Sequence, residues 1–111
     1  MTTDMVKIFV AEMIGTFVFL AVIIVTVNNS TKGFFKGDAW LKIGLALAVA
    51  ICLVGAFSNA YLNPAVTLMF YLNDQVSLEN LGIYISAQLV GAVLAVSFFK
   101  YYKSELIEAT A

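Results

Sequence analysis

The stretch that decides the fold is Asn63-Pro64-Ala65-Val66-Thr67-Leu68-Met69-Phe70-Tyr71-Leu72. Asn63 is a preferred N-cap residue, and Pro64 suits the first helical position, where its missing N–H costs nothing. The spacing predicts a helix over 64–72. It is apolar enough for a membrane, but at ~1.5 Å per residue it reaches roughly 13 Å, about half of a ~30 Å hydrocarbon core. The reading is therefore a half-helix that enters the membrane and stops near its middle. The preceding link, Ser58-Asn59-Ala60-Tyr61-Leu62, is not helical. Such backbone is tolerated in a bilayer only where protein or a water-filled cavity covers it. The helix start carries roughly half a positive charge. Broken helices at the midplane are typical of membrane transport proteins.

Composition agrees. The chain has 111 residues, 62% hydrophobic and 12% charged, which excludes disorder and argues against an ordinary soluble domain. There is no His and the six basic residues are all Lys, so a Ser/His/Asp set is impossible. No enzyme, cofactor or metal site is expected, and a net charge of −1 gives no sign of a nucleic-acid partner. Cys52 sits in an apolar run and reads as a buried small hydrophobe.

Outward from the half-helix, three longer apolar runs read as spans over about 8–27, 39–57 and 81–99. The first could instead be a signal peptide, but its apolar run is long and the polar Asn28-Asn29-Ser30 does not resemble a cleavage site. Thr2 or Thr3, Asp38 and Ser77 are candidate N-caps for the three. The loop 28–38 carries Lys32, Gly33, Lys36 and Gly37, and Lys100 to Lys103 form an interfacial belt before a tail expected to fray. The expected architecture is an all-α membrane protein with three transmembrane helices and one re-entrant half-helix, in a single domain over 1–111.

Two polar residues lie inside these runs. Glu12 either accepts hydrogen bonds from the uncovered link backbone or is an interfacial carboxylate within snorkelling reach. Gln88 either satisfies that backbone or bonds to a neighbouring helix. Small residues at four-residue spacing, Ala11/Gly15, Gly44/Ala48 and Ala87/Gly91/Ala95, read as close helix packing. Phe17, Phe19, Phe70 and Phe98 read as lipid-facing or packing residues. Asn59 and Tyr61 are placed to face a cavity.

Three stretches carry a resemblance: Ala11-Glu-Met-Ile-Gly-Thr-Phe17, Gly55-Ala-Phe-Ser-Asn-Ala-Tyr-Leu-Asn-Pro-Ala-Val-Thr-Leu68 and Tyr84-Ile-Ser-Ala-Gln-Leu-Val-Gly-Ala92. In this order they resemble the first half of an aquaporin or glycerol channel, the major intrinsic protein family. The resemblance implies half of an inverted-repeat fold, in which two halves bring two half-helices together at the centre. It implies that Asn63, Pro64 and Ala65 are the pore motif, that Glu12 and Gln88 support the loop, and that Phe19 faces the pore. By matching positions, Ile43 stands where water channels carry an aromatic, and Val66 holds the place of the selectivity arginine found after the second triplet. Asn59 and Tyr61 replace the family's usual Gly and His.

These features imply a channel subunit in a lipid bilayer that pairs antiparallel with an identical or a companion half and passes water and small neutral solutes such as glycerol. The family's tetramers imply four such pairs. Five lysines on one side against Lys7 on the other favour an N-terminus outside, whereas the resemblance implies an N-terminus inside. Two other functions remain open at this point. Ala-Glu-x-Ile-Gly-Thr is also similar to the small multidrug-resistance family, which would make Glu12 the proton carrier of a drug exporter. Those proteins have four full spans and no Asn-Pro-Ala half-helix. The third reading is a non-conducting membrane subunit.

Overall fold

The structure, a computed structural model, describes residues 2–29 and 37–110. The loop residues 30–36, with Lys32, Gly33 and Lys36, lie outside the described residues. Four helices follow one another: α1 (Thr3–Asn29), α2 (Ala39–Val54), α3 (Pro64–Leu72) and α4 (Leu78–Thr110). Among the described residues there is no strand.

Local chemistry sets most helix ends. Thr2 Oγ1 accepts from Met5 N–H at 3.2 Å and caps α1. Ser77 Oγ accepts from Asn80 N–H at 3.1 Å and starts α4. Asp38 does not cap α2 with its side chain. It pairs instead with Lys42, one turn on, at 3.4 Å. The span expected over 39–57 ends as a helix at Val54. Phe57 and Ser58 N–H both turn back to the Val54 carbonyl, so the apolar residues 55–57 belong to a turn. The run expected over 81–99 begins at Leu78 and continues through the tail to Thr110, with a break at Tyr102 (φ −108°, ψ 19°). No Pro or Gly follows Gly91 to stop it. Two helices, Thr3–Asn29 and Leu78–Glu105, are long and apolar enough to cross a membrane, while α2 has 16 residues.

Helix α1 is the centre of the arrangement. It packs on α4 and on α2, while α3 packs on α4. Helices α2 and α3 do not pack on each other, which leaves the face between them open. The α1–α4 approach depends on Gly91, where an added Cβ would stand 2.8 Å from the Met13 carbonyl oxygen and 3.1 Å from Phe17 N. Ala87 and Ala95 are buried on the same face. Phe17 meets Phe98 edge-on at 5.7 Å. Contacts therefore advance along both helices together, so α1 and α4 run parallel.

Helix α2 runs the other way. Gly15 lies against Val54, and Ala11, Ala50, Val54 and Leu62 form the core, with Phe19, Leu47 and Ala60 packed on it. Two expectations fail on α2. Cys52 is exposed, not buried. Gly44 and Ala48 are exposed as well, with nothing within 4 Å of a Cβ on Gly44, so this pair packs no helix of the chain. The reason is that α2 touches only α1, which buries one stripe ending in Ala50 and Val54 and leaves the opposite side free.

The link and α3 enter and leave at one end of the bundle. Residues 55–59 at the end of α2 and residues 75–77 before α4 line a common cleft with Asp4 and Lys7 of α1. Between these points the chain reaches Glu12 and Gln88, roughly 14 Å along α1 and α4 at ~1.5 Å per residue.

Candidate functional site

The site is a knot of hydrogen bonds at that depth. Glu12 is fully buried, so its oxygens must be satisfied by protein. Oε1 accepts from Leu62 N–H at 2.9 Å and from Gln88 Nε2 at 3.0 Å. Oε2 accepts from Ser58 Oγ at 2.5 Å. Ser58 Oγ in turn accepts from Ala60 N–H at 3.0 Å. One carboxylate thus holds three bonds from two separate elements, two of them to the link. Hydrogen bonds to a charged group are shorter and stronger than neutral ones, which suits a position where water cannot help.

Gln88 joins the knot to α3. Its Nε2 also donates to Thr67 Oγ1 at 2.8 Å, and Thr67 Oγ1 donates to the Asn63 carbonyl oxygen at 2.8 Å. These acceptors orient the amide: both Nε2 hydrogens have a partner, and Oε1 has none among the described residues. Gln88 therefore ties α4 to α1 and α3 and does not touch the link backbone.

The knot holds a strained backbone. Ala60 and Leu62 take φ of 52° and 56°, a left-handed conformation that costs roughly 1–2 kcal/mol per non-Gly residue. Leu62 is kept there by the bond to Glu12 and by its buried side chain against Ala11, Ala50 and Val54. Asn63 is extended (φ −157°, ψ 124°), and its Oδ1 accepts from Ala65 N–H at 2.8 Å. That bond leaves the Asn63 amide nitrogen without a partner among the described residues. Pro64 opens the helix, and Ala65 gives the first free N–H to the cap. The carbonyl oxygens of 58–62 accept no hydrogen bond among the described residues.

Asn59 donates from its backbone to Tyr84 Oη and from its side chain to Tyr61 Oη, both at 3.1 Å. Tyr61 stacks on Phe70 at 4.7 Å and leans on Tyr84 at 4.9 Å. Phe19 lies half-buried against the core beside Leu47 and Ala60. Ile43 and Val66 are half-buried on α2 and α3, helices that do not pack on each other, so this chain alone does not bring them together. Sequence reasoning passed over Ser58, Thr67 and Tyr84 as individual residues. Thr67 lies one turn after the cap, and Tyr84 one turn before Gln88 on the buried stripe of α4; both spacings were visible.

Comparison with known proteins gives the family. The family described as Major intrinsic protein matches residues 1–111. A probable aquaporin PIP1-2 of Oryza sativa subsp. japonica is 33% identical over 108 residues, covering 91% of this chain and 37% of that protein. Aquaporin-2 of Rhizopus delemar is 33% identical over 88 residues, covering 76% of this chain and 28% of that protein. Aquaporin PIP1-6 of Zea mays is 34% identical over 107 residues, covering 90% and 36%. The match therefore spans only 28% to 37% of the length of these relatives. No solved structure matches. With aquaporin relatives over most of its length and two apolar helices of membrane-crossing length, this is an integral membrane protein, and the chain belongs to the major intrinsic protein family.

Proposed function

We propose that this chain forms one half of an aquaporin-like channel, with α1, α2 and α4 as spans and the link plus α3 as a re-entrant segment. It pairs antiparallel with a second half, identical or companion, and four such pairs assemble together. The observation that carries the reading is the Glu12–Gln88–Thr67–Asn63 knot, which holds the start of a nine-residue helix about a third of the way along α1 and α4. A lone half-helix start with an open face beside it is half a site. A second one facing it completes a path.

The path has the groups that a neutral solute needs. The Asn63 amide donates to a passing oxygen, and the link carbonyls accept from its hydrogens. The positive starts of two facing half-helices repel cations where the dielectric is low and charges act strongly. Asn59 and Tyr61 line the entrance, and Phe19 backs the link. Ile43 and Val66 stand where water channels place an aromatic and an arginine, so the opening is wider and more apolar. Water and small neutral solutes such as glycerol pass, with looser discrimination than in a strict water channel.

A proton-coupled exporter is disfavoured by Glu12 itself. A carrier must release its partners in each cycle, and this carboxylate holds three bonds that keep the backbone folded. The test is stopped-flow light scattering of proteoliposomes under separate water and glycerol gradients, with no proton gradient. Both fluxes are expected above those of empty vesicles. Water flux at the empty-vesicle level would refute the channel. Water flux with glycerol excluded would refute the argument from Ile43 and Val66.

A further inference from the structure

Glu12 is buried, yet one hydroxyl separates it from solution. Its Oε2 accepts from Ser58 Oγ at 2.5 Å. Ser58 is half-buried and lines the open cleft of about 560 Å³ at the end of the bundle, with Asp4, Lys7, Asn80 and Tyr84. The three groups on the carboxylate, Leu62 N–H, Gln88 Nε2 and Ser58 Oγ, all donate. A neutral carboxyl needs one acceptor for its own hydrogen, and an N–H cannot supply it. Ser58 can, because a hydroxyl oxygen has two lone pairs and Ala60 N–H uses one. Turning the Ser58 hydrogen towards the cleft lets its oxygen accept from a proton on Glu12 Oε2. The neutral state therefore leaves none of these groups unmatched.

We propose that Ser58 is a proton port, through which the pH in this cleft charges and discharges Glu12 with the fold intact. Hydronium in the cleft gives a proton to Ser58 Oγ and becomes water, while the hydrogen already on Ser58 passes along the short bond to Oε2. The reverse transfer restores the carboxylate. Charged groups around Glu12 are sparse. Helix α1 itself supplies Asp4 and Lys7 in the cleft. From α4 the phenol of Tyr84 acts on Glu12 electrostatically. The link adds the phenol of Tyr61, and α3 that of Tyr71 and no charge. On α2, Lys42 lies near the far end and Cys52 is exposed. With Glu12 neutral, its bonds from Leu62 and Gln88 lose their charge assistance and about half their strength. The hold on the strained link then follows the pH in the cleft. The port serves one face, so this exchange carries no proton across the membrane.

The test uses the assembly purified through a tag on this chain and reconstituted in lipid. It needs no solute flux, so its failure is distinct from failure of the channel reading. Infrared difference spectra are taken between neutral and acidic buffer, with Glu12→Gln as the blank for the other carboxyls. The parent is expected to show one extra protonated-carboxyl band while the helical circular-dichroism signal persists, and that band should shift at once in heavy water. Protection of the Leu62 amide should fall about 5- to 10-fold across the same titration, the difference between a charged and a neutral hydrogen bond. Ser58→Ala, which removes a donor that favours the carboxylate, is expected to raise its proton affinity about 2- to 10-fold. Lys7→Gln and Asp4→Asn, outside the knot, should move the midpoint up and down respectively, and they carry the test if Ser58→Ala does not assemble. No Glu12-dependent band before the helices melt, a band that resists deuteration for minutes, or one midpoint shared by the parent and all three variants would overturn the port.

Discussion

Replacing Glu12 with Ala removes the acceptor for three donors at once. Leu62 N–H, which is buried, loses its one partner among the described residues. The Ser58 hydroxyl loses the acceptor for its hydrogen, although its oxygen keeps Ala60 N–H. Gln88 keeps Thr67 and loses one bond of two. Each buried donor left unsatisfied costs roughly 1–3 kcal/mol, and bonds to a charged group are worth more than neutral ones. Ser58 is half-buried and regains part of its loss from water, so the net cost is about 3–5 kcal/mol. On the scale of a ~100-residue domain, where 1 kcal/mol moves the midpoint by ~4–8 °C, this lowers thermal unfolding by roughly 12–40 °C. Glu12→Gln keeps an oxygen for Leu62 and Gln88 and turns an amide towards Ser58, so it falls between the two. The assay is circular-dichroism melting in detergent, paired with hydrogen exchange at the Leu62 amide, which should lose its protection. If Glu12→Ala melted within about 2 °C of the parent with Leu62 still protected, the knot would not be holding the link.

Other expectations follow from the same geometry. Leu62→Ala should cost about 2–5 kcal/mol through the emptied core site, while Leu62→Gly should cost no more, because φ 56° suits Gly; a clear advantage for Ala in unfolding midpoints would refute the strain argument. Gly91→Ala should be worse than Gly15→Ala: the first meets backbone atoms of α1 at 2.8 and 3.1 Å, the second the ends of the Leu62 and Val54 side chains, which can move. Equal melting of the two variants would contradict the close α1–α4 approach. For the proposed pairing, a cysteine at Ser30 in a Cys52→Ser background should label from both sides of intact cells if identical chains insert in both orientations, and labelling from one side alone would exclude that arrangement.

What was legible in the sequence follows from which forces are local. The start of α3 could be read because a cap and a following proline act within three residues, and the same holds for Ser77 before α4. Asp38 shows the limit, since its side chain chose Lys42 over the helix start. Hydropathy placed the apolar runs but not the end of α2. Gly55, Ala56 and Phe57 are as acceptable to a bilayer as the helix before them, and only the backbone bonds to Val54 turn the chain there. The outward faces of Cys52, Gly44 and Ala48 were illegible because a small-residue row states that a close contact is possible, not which helix supplies it. Tyr84 was within the motif that carried the family resemblance. Its role depends on the link bringing Asn59 to it across the fold, and no spacing along α4 contains that information.

The re-entrant path is the central claim, and intrachain distances test it whichever way the chain inserts. Spin labels at Asp4 and Asp74, and in a second sample at Asp74 and Lys103, can be compared in lipid with unlabelled chain in excess. The account places residues 75–77 in one cleft with Asp4, so the first pair should be close. The second should be separated by most of the length of α4, on the order of 40 Å at ~1.5 Å per residue. An Asp74 label far from Asp4 and near Lys103 would mean that the segment crosses to the other end, and the half-channel account would fail.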